Sequence, residues 1–137
     1  MSHCGIDLNT AWLPYMEDQL IRKSIEFKLK VVDMGSQILS ALIKLHEVGY
    51  CHWDIKLDNI CIHDGYYYLI DFAFAQRIEN LKFRSIKSFK GNSMFASMRK
   101  FRMHPTAGPI DDIEALIYLM CFCMDGFHLP WLDDYVH

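Results

Sequence analysis

The chain has 137 residues, of which 52% are hydrophobic and 23% charged, and its formal net charge is -3 at pH 7. This length suits one domain with a buried hydrophobic core, and the composition excludes a disordered chain or a basic nucleic-acid-binding protein. The five cysteines lack the spacing of a disulfide framework, which predicts an intracellular location, cytoplasmic or nuclear. There is no signal-peptide pattern, and the most apolar run, 115–124, is too short to cross a bilayer, so no membrane partner is expected.

The N-terminal part of the chain has weak helical signals. Asp7 is predicted to cap a short helix near Asn9–Glu17, which Pro14 interrupts. The following segment, Gln19–Lys30, alternates charged and apolar residues, and we interpret it as a loop followed by the start of a helix.

The clearest amphipathic helix is predicted over Val31–Val48. Apolar residues recur there at three- and four-residue steps, which is the period of one helical face. Gly49 provides a C-terminal stop, so the helix delivers the chain directly to the polar segment that follows.

A short hairpin is predicted next, because Asp-Gly lies between two β-prone runs. The runs are Ile60–Ile62 and Tyr66–Ile70, joined by 63–65. Polar side chains lie at the open ends of both runs: His52, Asp54, Lys56 and Asn59 before the first, and Asp71 after the second. A tight hairpin brings its ends together, so we expect Asp54, Asn59 and Asp71 to converge. Their oxygens could bind a divalent metal while the Lys56 ammonium orients a phosphate.

The segment 74–109 lacks periodicity and is locally rich in lysine and arginine, as expected of either a functional loop or a plain solvated surface.

A second helix is predicted over Asp111–Met124, with Asp111 or Asp112 as its cap. Because this helix is apolar on nearly every side, we expect it to be buried at the centre of the fold. Cys121 and Cys123 within it are expected to be buried thiols rather than metal ligands.

The spacing of the polar residues resembles a protein-kinase signature. H-x-D-x-K-x-x-N followed by D-F-x is present as His52–Asn59 and Asp71–Ala73. Three further motifs resemble those of the casein kinase 1 family and its relatives, the tau-tubulin kinases: Gly91–Ser97, Asp111–Leu116 and Leu129–Trp131. A β-hairpin with solvated polar ends is the alternative interpretation of the signature alone.

The resemblance implies a fold that is mainly α with a small β-hairpin. It corresponds to the C-terminal lobe of a protein kinase, truncated at both ends, with the small lobe absent. Residues 1–137 would then be a partial kinase domain, with the catalytic loop at 52–59, the metal loop at 71–73 and the activation segment at about 71–97.

The resemblance also assigns roles. Asp54 would accept or orient the proton of the substrate hydroxyl, Lys56 would neutralise charge on the transferred phosphoryl group, and Asn59 and Asp71 would hold magnesium and the phosphates of ATP. Structural support is implied for three further residues. His52 would pack beneath the metal loop, Asp112 would bond the catalytic-loop backbone, and Asn92 would partly replace a threonine that steadies the catalytic residues.

Several positions depart from the family pattern. Trp53 replaces an arginine that in many kinases pairs with a phosphorylated activation segment. Ala73 replaces glycine and is expected to stiffen the metal loop, and Ile117 replaces a small glycine and is expected to require repacking.

Two functions follow as hypotheses. The first is a serine/threonine protein kinase of casein kinase 1 type, using ATP and magnesium on protein substrates that are acidic or already phosphorylated. Substrate recognition would use basic residues on both sides of the 91–97 motif: Lys82, Arg84, Lys87, Lys90, Arg99, Lys100 and Arg102. The second is a pseudokinase-like module whose small-lobe face binds a protein partner. The sequence has no glycine-rich phosphate loop, so the isolated chain is expected to be inactive.

Overall fold

A computed structural model describes residues 5–78 and 108–129, and it is mostly helical with two small sheets. The prediction of a mainly α fold with a small β component is therefore confirmed. None of the helices in these two ranges is long and apolar enough to span a membrane.

The N-terminal part forms one short strand and three short helices. Their bounds are β1 Ile6–Asp7, α1 Leu8–Ala11, α2 Leu13–Glu17 and α3 Gln19–Arg22. The Asp7 side chain caps α1 by accepting a hydrogen bond from the Thr10 amide at 2.9 Å, which confirms the predicted cap. Pro14 lies in the first turn of α2, where its missing amide proton costs no helical hydrogen bond. The predicted interruption of the helix therefore falls at Trp12, between α1 and α2.

Helix α4, Ile25–Glu47, is the longest element and begins earlier than predicted. Ser24 caps it by accepting from the Phe27 amide at 3.2 Å, and Phe27 is fully buried. The interpretation of Gln19–Lys30 as a loop followed by the start of a helix was therefore correct for its second half, where a cap and a buried aromatic residue begin α4 before Val31, and wrong for Gln19–Arg22, which forms α3. The core-facing side chains of α4 are Phe27, Val31, Met34, Ile38 and Leu42.

Helix α5, Pro109–Met124, packs against α4. Its N-cap is Gly108, so the predicted caps Asp111 and Asp112 both lie inside the helix. Asp111 nevertheless stabilises the start of the helix, because its carboxylate accepts a hydrogen bond from the Gly108 amide at 2.5 Å. The two helices approach closely where Gly35 of α4 faces the Met120 side chain.

Helix α5 is only partly buried among the described residues, contrary to the prediction of a fully central helix. Leu119 and Cys123 lie in the core, whereas Ile117 and Cys121 are exposed. Only one of the two expected buried thiols is therefore buried, and Ile117 needs no repacking in this part of the chain.

The hairpin forms as predicted, with strand ends shifted by one residue. Strands β3 (Ile60–His63) and β4 (Tyr66–Leu69) are antiparallel, and β1 pairs with the other edge of β3. Asp64 and Gly65 form the turn with φ angles of 50° and 78°, both in the left-handed region that Asp-Gly turns require. A second sheet pairs β2 (Tyr50–Cys51) with β5 (Gln76–Arg77), and a 3-10 helix covers Leu57–Asn59. The two antiparallel pairs, β2 with β5 and β3 with β4, hold the chain before the hairpin close to the chain after it.

Candidate functional site

The segment 52–59 connects β2 to the hairpin and is fastened from below by α5. Asp112 is almost fully buried, and its carboxylate accepts hydrogen bonds from the His52 amide at 2.7 Å and the Trp53 amide at 2.9 Å. The same carboxylate lies 2.9 Å from Nε2 of His46, near the end of α4. Asp112 thus joins two helices and the 52–59 segment.

His52 connects this loop to the segment after β4. Its Nδ1 accepts from the Asp54 amide at 3.1 Å, and its Nε2 lies 2.9 Å from the Ile70 carbonyl oxygen. A carbonyl oxygen can only accept, so the proton is on Nε2. The ring also meets Phe72 edge to face, with centroids 5.1 Å apart. His52 therefore lies beneath the Asp71 segment and has no nitrogen left for a substrate.

Asp54, Lys56 and Asn59 form a compact polar group. The Asn59 amide nitrogen donates to the Asp54 backbone oxygen and to Asp54 Oδ2, both at 2.8 Å. The Lys56 ammonium lies 3.9 Å from Asp54 Oδ2, and its side chain is 35% exposed whereas that of Asp54 is 4% exposed. The carboxylate is therefore held in one orientation, with a cation beside it that still reaches solvent.

Asp71 is positioned through its neighbour in the chain. The Ile70 amide donates to the Asn59 carbonyl at 2.8 Å, while the Ile70 carbonyl binds His52. Asp71 itself has φ of 60° and is exposed, and its Oδ1 accepts from the Ala73 amide at 3.1 Å. The structure thus brings Asp71 beside the Asp54–Asn59 group, as the hairpin geometry predicted.

The donor set fits a magnesium ion. Both hydrogen bonds of the Asn59 side chain use its nitrogen, so they leave the amide oxygen free to serve as a ligand. The Asp71 carboxylate is exposed and uses one oxygen on Ala73. Carboxylate and amide oxygens are the ligands that magnesium prefers. Asn59 and Asp71 are the residues that would hold the ion.

Trp53 and Cys51 form a small apolar cluster that the sequence did not predict. Trp53 is 3% exposed with φ of 67°, and it packs with Cys51 and the partly buried Ile78. Burial raises the pKa of the Cys51 thiol, and the nearby Asp112 and Asp111 carboxylates raise it further. An apolar side chain thus occupies the position where many kinases have a cation.

His46 was also missed from the sequence, because its partner Asp112 is far along the chain and no local pattern connects them. His46, Cys51 and Asp112 have potential ligand atoms within 4.8 Å of one another. The Asp112 carboxylate already bonds two amides and the His46 ring, so the cluster acts here as a structural fastening.

Some predicted residues lie outside the described ranges. They are Asn92, the activation segment beyond residue 78, and the basic residues Lys82, Arg84, Lys87, Lys90, Arg99, Lys100 and Arg102. Ala73 is described and is not among the residues with positive φ, so the replacement of glycine introduces no left-handed strain there.

Comparison with known proteins decides the family. A family model described as the protein kinase domain matches residues 12–112. The chain belongs to the protein kinase family. The sequence resemblance is thereby confirmed at the level of the family.

Two curated relatives agree with this assignment. A protein of Encephalitozoon cuniculi named probable casein kinase I homolog is 30% identical over 125 residues, which cover 85% of this chain and 40% of the relative. A probable serine/threonine-protein kinase of Dictyostelium discoideum is 29% identical over 126 residues, which cover 82% of this chain and 25% of the relative. The chain therefore spans less than half the length of either relative.

Proposed function

We propose that this chain supplies the catalytic loop and the metal-binding residues of a serine/threonine protein kinase of casein kinase 1 type. The observation that carries the proposal is the hydrogen-bonded group of Asp54 and Asn59, with Lys56 beside it and Asp71 held next to it by Ile70. The reaction would move the γ-phosphoryl group of ATP to a serine or threonine hydroxyl of a protein.

The chemistry of each residue follows from its surroundings. Asp54 is fixed by Asn59, so its second carboxylate oxygen can accept a hydrogen bond from a substrate hydroxyl without reorganisation. Lys56 is close enough to the same point to stabilise negative charge on a transferred phosphoryl group. Magnesium, when bound, neutralises charge on the phosphates of ATP. Asn59 and Asp71 orient these groups, and His52 and Asp112 keep the loops in register.

The chain supplies only part of the residues that phosphoryl transfer needs. Its sequence contains no G-x-G-x-x-G segment to cover the phosphates of ATP. We therefore expect the 137-residue chain alone to show negligible kinase activity. Residues of the small lobe would have to come from additional sequence or from another protein.

Acidic or phosphorylated proteins are the proposed substrates, on the resemblance to the casein kinase 1 family. The basic residues that would bind them lie outside the described ranges, so this part of the proposal rests on the sequence.

A second candidate is a non-catalytic binding module. Its support is the exposure of Phe72 and Phe74 beside the site, where apolar side chains are 49% and 41% exposed. Exposed aromatic residues next to the metal loop would suit a protein partner that covers the small-lobe face.

The decisive experiment joins the small lobe of a casein kinase I relative to this chain. We expect the purified chain alone to leave casein unphosphorylated, and the chimera to phosphorylate it with a requirement for magnesium. Asp54→Asn should abolish that activity, because the substituted amide cannot accept the hydroxyl proton. Asp58→Asn is the matched control, since Asp58 is exposed in the same loop.

Either of two results would reject the kinase proposal. One is a chimera that folds and binds ATP but transfers no phosphoryl group. The other is activity that survives Asp54→Asn. The first would leave the binding module as the better description.

A further inference from the structure

Helix α4 has two apolar stripes, and only one of them faces the core. The core stripe runs through Phe27, Val31, Met34, Ile38 and Leu42. The second stripe lies on another side of the helix, and its apolar members are between 37% and 72% exposed. We define it by six residues, of which Ser36 is polar: Ile25, Leu29, Val32, Ser36, Leu39 and Ile43.

The spacing of the outer stripe is that of a coiled-coil seam. Its steps are alternately four and three residues, which is the heptad pattern of a and d positions. Such a seam packs lengthwise against another α-helix, because each side chain fits between four residues of the partner helix. The spacing therefore selects a helix, rather than a strand or a loop, as the partner.

The elements that pack on α4 leave this side open in the described part of the chain. Gly35 meets Met120 of α5, and Gln37 binds the β3–β4 hairpin through the Tyr67 amide at 2.8 Å. Neither residue belongs to the outer stripe.

Charges beside the stripe are complementary to those of a second copy. With Leu29, Ser36 and Ile43 at a positions, Lys28 is a g residue and Asp33 is the following e residue. In a parallel, in-register pair, a g residue faces the e residue five positions later on the other helix. Lys28 of each copy would then lie beside Asp33 of the other. Both are exposed, and Asp33 shares one carboxylate oxygen with Gln37 of its own helix.

We infer that the outer stripe of α4 mediates a parallel homodimer of this chain. Ser36 lies at the middle a position, where a polar residue pairs best with its own copy and so fixes the register. The stripe ends before His46, whose ring is bound to Asp112. Both catalytic loops would therefore lie at the same end of the dimer, free of the interface. This inference does not depend on kinase activity.

Sedimentation equilibrium of the full 137-residue chain over a wide concentration range tests the dimer. We expect a reversible monomer–dimer equilibrium, and Leu29→Glu with Val32→Glu should raise the dissociation constant about tenfold or more, because charge replaces the packed seam. Val48→Glu is the matched control, since Val48 is 70% exposed but lies outside the stripe. Circular dichroism checks that each variant keeps its helices.

Three further variants test the orientation. Lys28→Glu and Asp33→Lys should each weaken self-association, and mixing the two variants should restore it through two attractive pairs per dimer. Ile43→Cys, with Cys4 and Cys121 changed to Ser, should form an intermolecular disulfide on mild oxidation, because a residue at one end of the stripe meets its equivalent only when the two helices run parallel and in register.

Three results would overturn the inference. The wild-type chain could remain monomeric at every concentration, which would leave the stripe for another partner. Association could persist in the Leu29→Glu, Val32→Glu variant and so use a different surface. Absence of the Ile43→Cys cross-link in a dimer that the stripe variant disrupts would reject the parallel arrangement.

Discussion

The segments 52–59 and 71–73, which we propose as the catalytic loop and the metal loop, lie side by side but are held in different ways. Residues 52–59 are mostly buried and are fixed by bonds to α5, to the hairpin and within the loop, through Asp112, His52 and Asn59. Residues 71–73 are exposed, and the Asp71 side chain bonds only the nearby Ala73 amide among the hydrogen bonds described. The residues that would receive the substrate hydroxyl, and Asn59 with them, are thus preorganised within this chain, whereas Asp71, the other proposed magnesium ligand, is positioned only through its own backbone neighbours.

The first prediction, which has the largest expected effect, removes the buried Asp112 carboxylate that holds residues 52 and 53 to α5. Asp112→Ala leaves the buried amides of His52 and Trp53 without their acceptor, and each such group costs about 1–3 kcal/mol. We expect a loss of roughly 3 kcal/mol or more in the free energy of unfolding, measured by urea denaturation.

Two companion variants keep that test interpretable. Asp112→Asn retains one acceptor oxygen and should lose less. Asp58→Ala, which changes an exposed carboxylate in the same loop, should stay near wild type. Equal stability of Asp112→Ala and Asp58→Ala would show that the loop is not fastened by α5.

A second prediction compares the two proposed metal ligands directly. Asn59→Ala removes two buried hydrogen bonds to Asp54 and should destabilise the chain by about 1–3 kcal/mol. Asp71→Asn should change the unfolding free energy by less than about 0.5 kcal/mol, since the residue is exposed and asparagine also tolerates positive φ. Urea titrations of both variants decide the matter. A large loss for Asp71→Asn would place both loops in the same rigid unit.

These residues also show how far sequence alone could go. The hairpin and the meeting of Asp54, Asn59 and Asp71 were predictable, because an Asp-Gly turn and strict local spacing fix them. The early start of α4 was not, since Ser24 and Phe27 act through a cap and a distant core.

The hydrogen bonds of Asp112 show the same limit of prediction from sequence alone. The resemblance suggested Asp112, but nothing local indicated that His46 shares its carboxylate, because their contact joins the ends of two helices far apart in the chain. The exposure of Ile117 and Cys121 was likewise unpredictable, since hydropathy does not say which sides of a helix are covered by other elements.

A third prediction concerns Ala73, which stands where the kinase D-F-G pattern has glycine. Ala73 does not have positive φ, so Ala73→Gly relieves no left-handed strain and instead adds freedom to the unfolded chain. We expect a destabilisation of about 0.4–1 kcal/mol and faster amide hydrogen exchange across 71–75. His52 and Trp53 amides should keep their protection, because Asp112 holds them. A stabilised Ala73→Gly variant would show that alanine strains the loop.

The last prediction is a loss of stability in alkali, to which the buried thiols of Cys51, next to the 52–59 segment, and Cys123, on α5, both contribute. Burial, with the Asp112 and Asp111 carboxylates, raises the pKa of Cys51 well above its ordinary value of 9.0, and burial with Asp33 and Tyr15 raises the pKa of Tyr67 to about 12. A raised pKa in the folded state means that the unfolded chain releases the proton first. The stabilising contribution is therefore complete below about pH 9 and is lost as the pH rises above it.

Urea titrations at a series of pH values measure that loss. Cys51→Val should reduce it and leave the share of Cys123, because valine keeps the apolar contact with Trp53 but carries no proton. Cys121→Ser is the matched control, since its thiol is exposed on α5 and contributes no buried group. A pH dependence unchanged by Cys51→Val would mean that the Cys51 thiol reaches solvent in the native state, and that the chain leading into residues 52–59 is as open as residues 71–73.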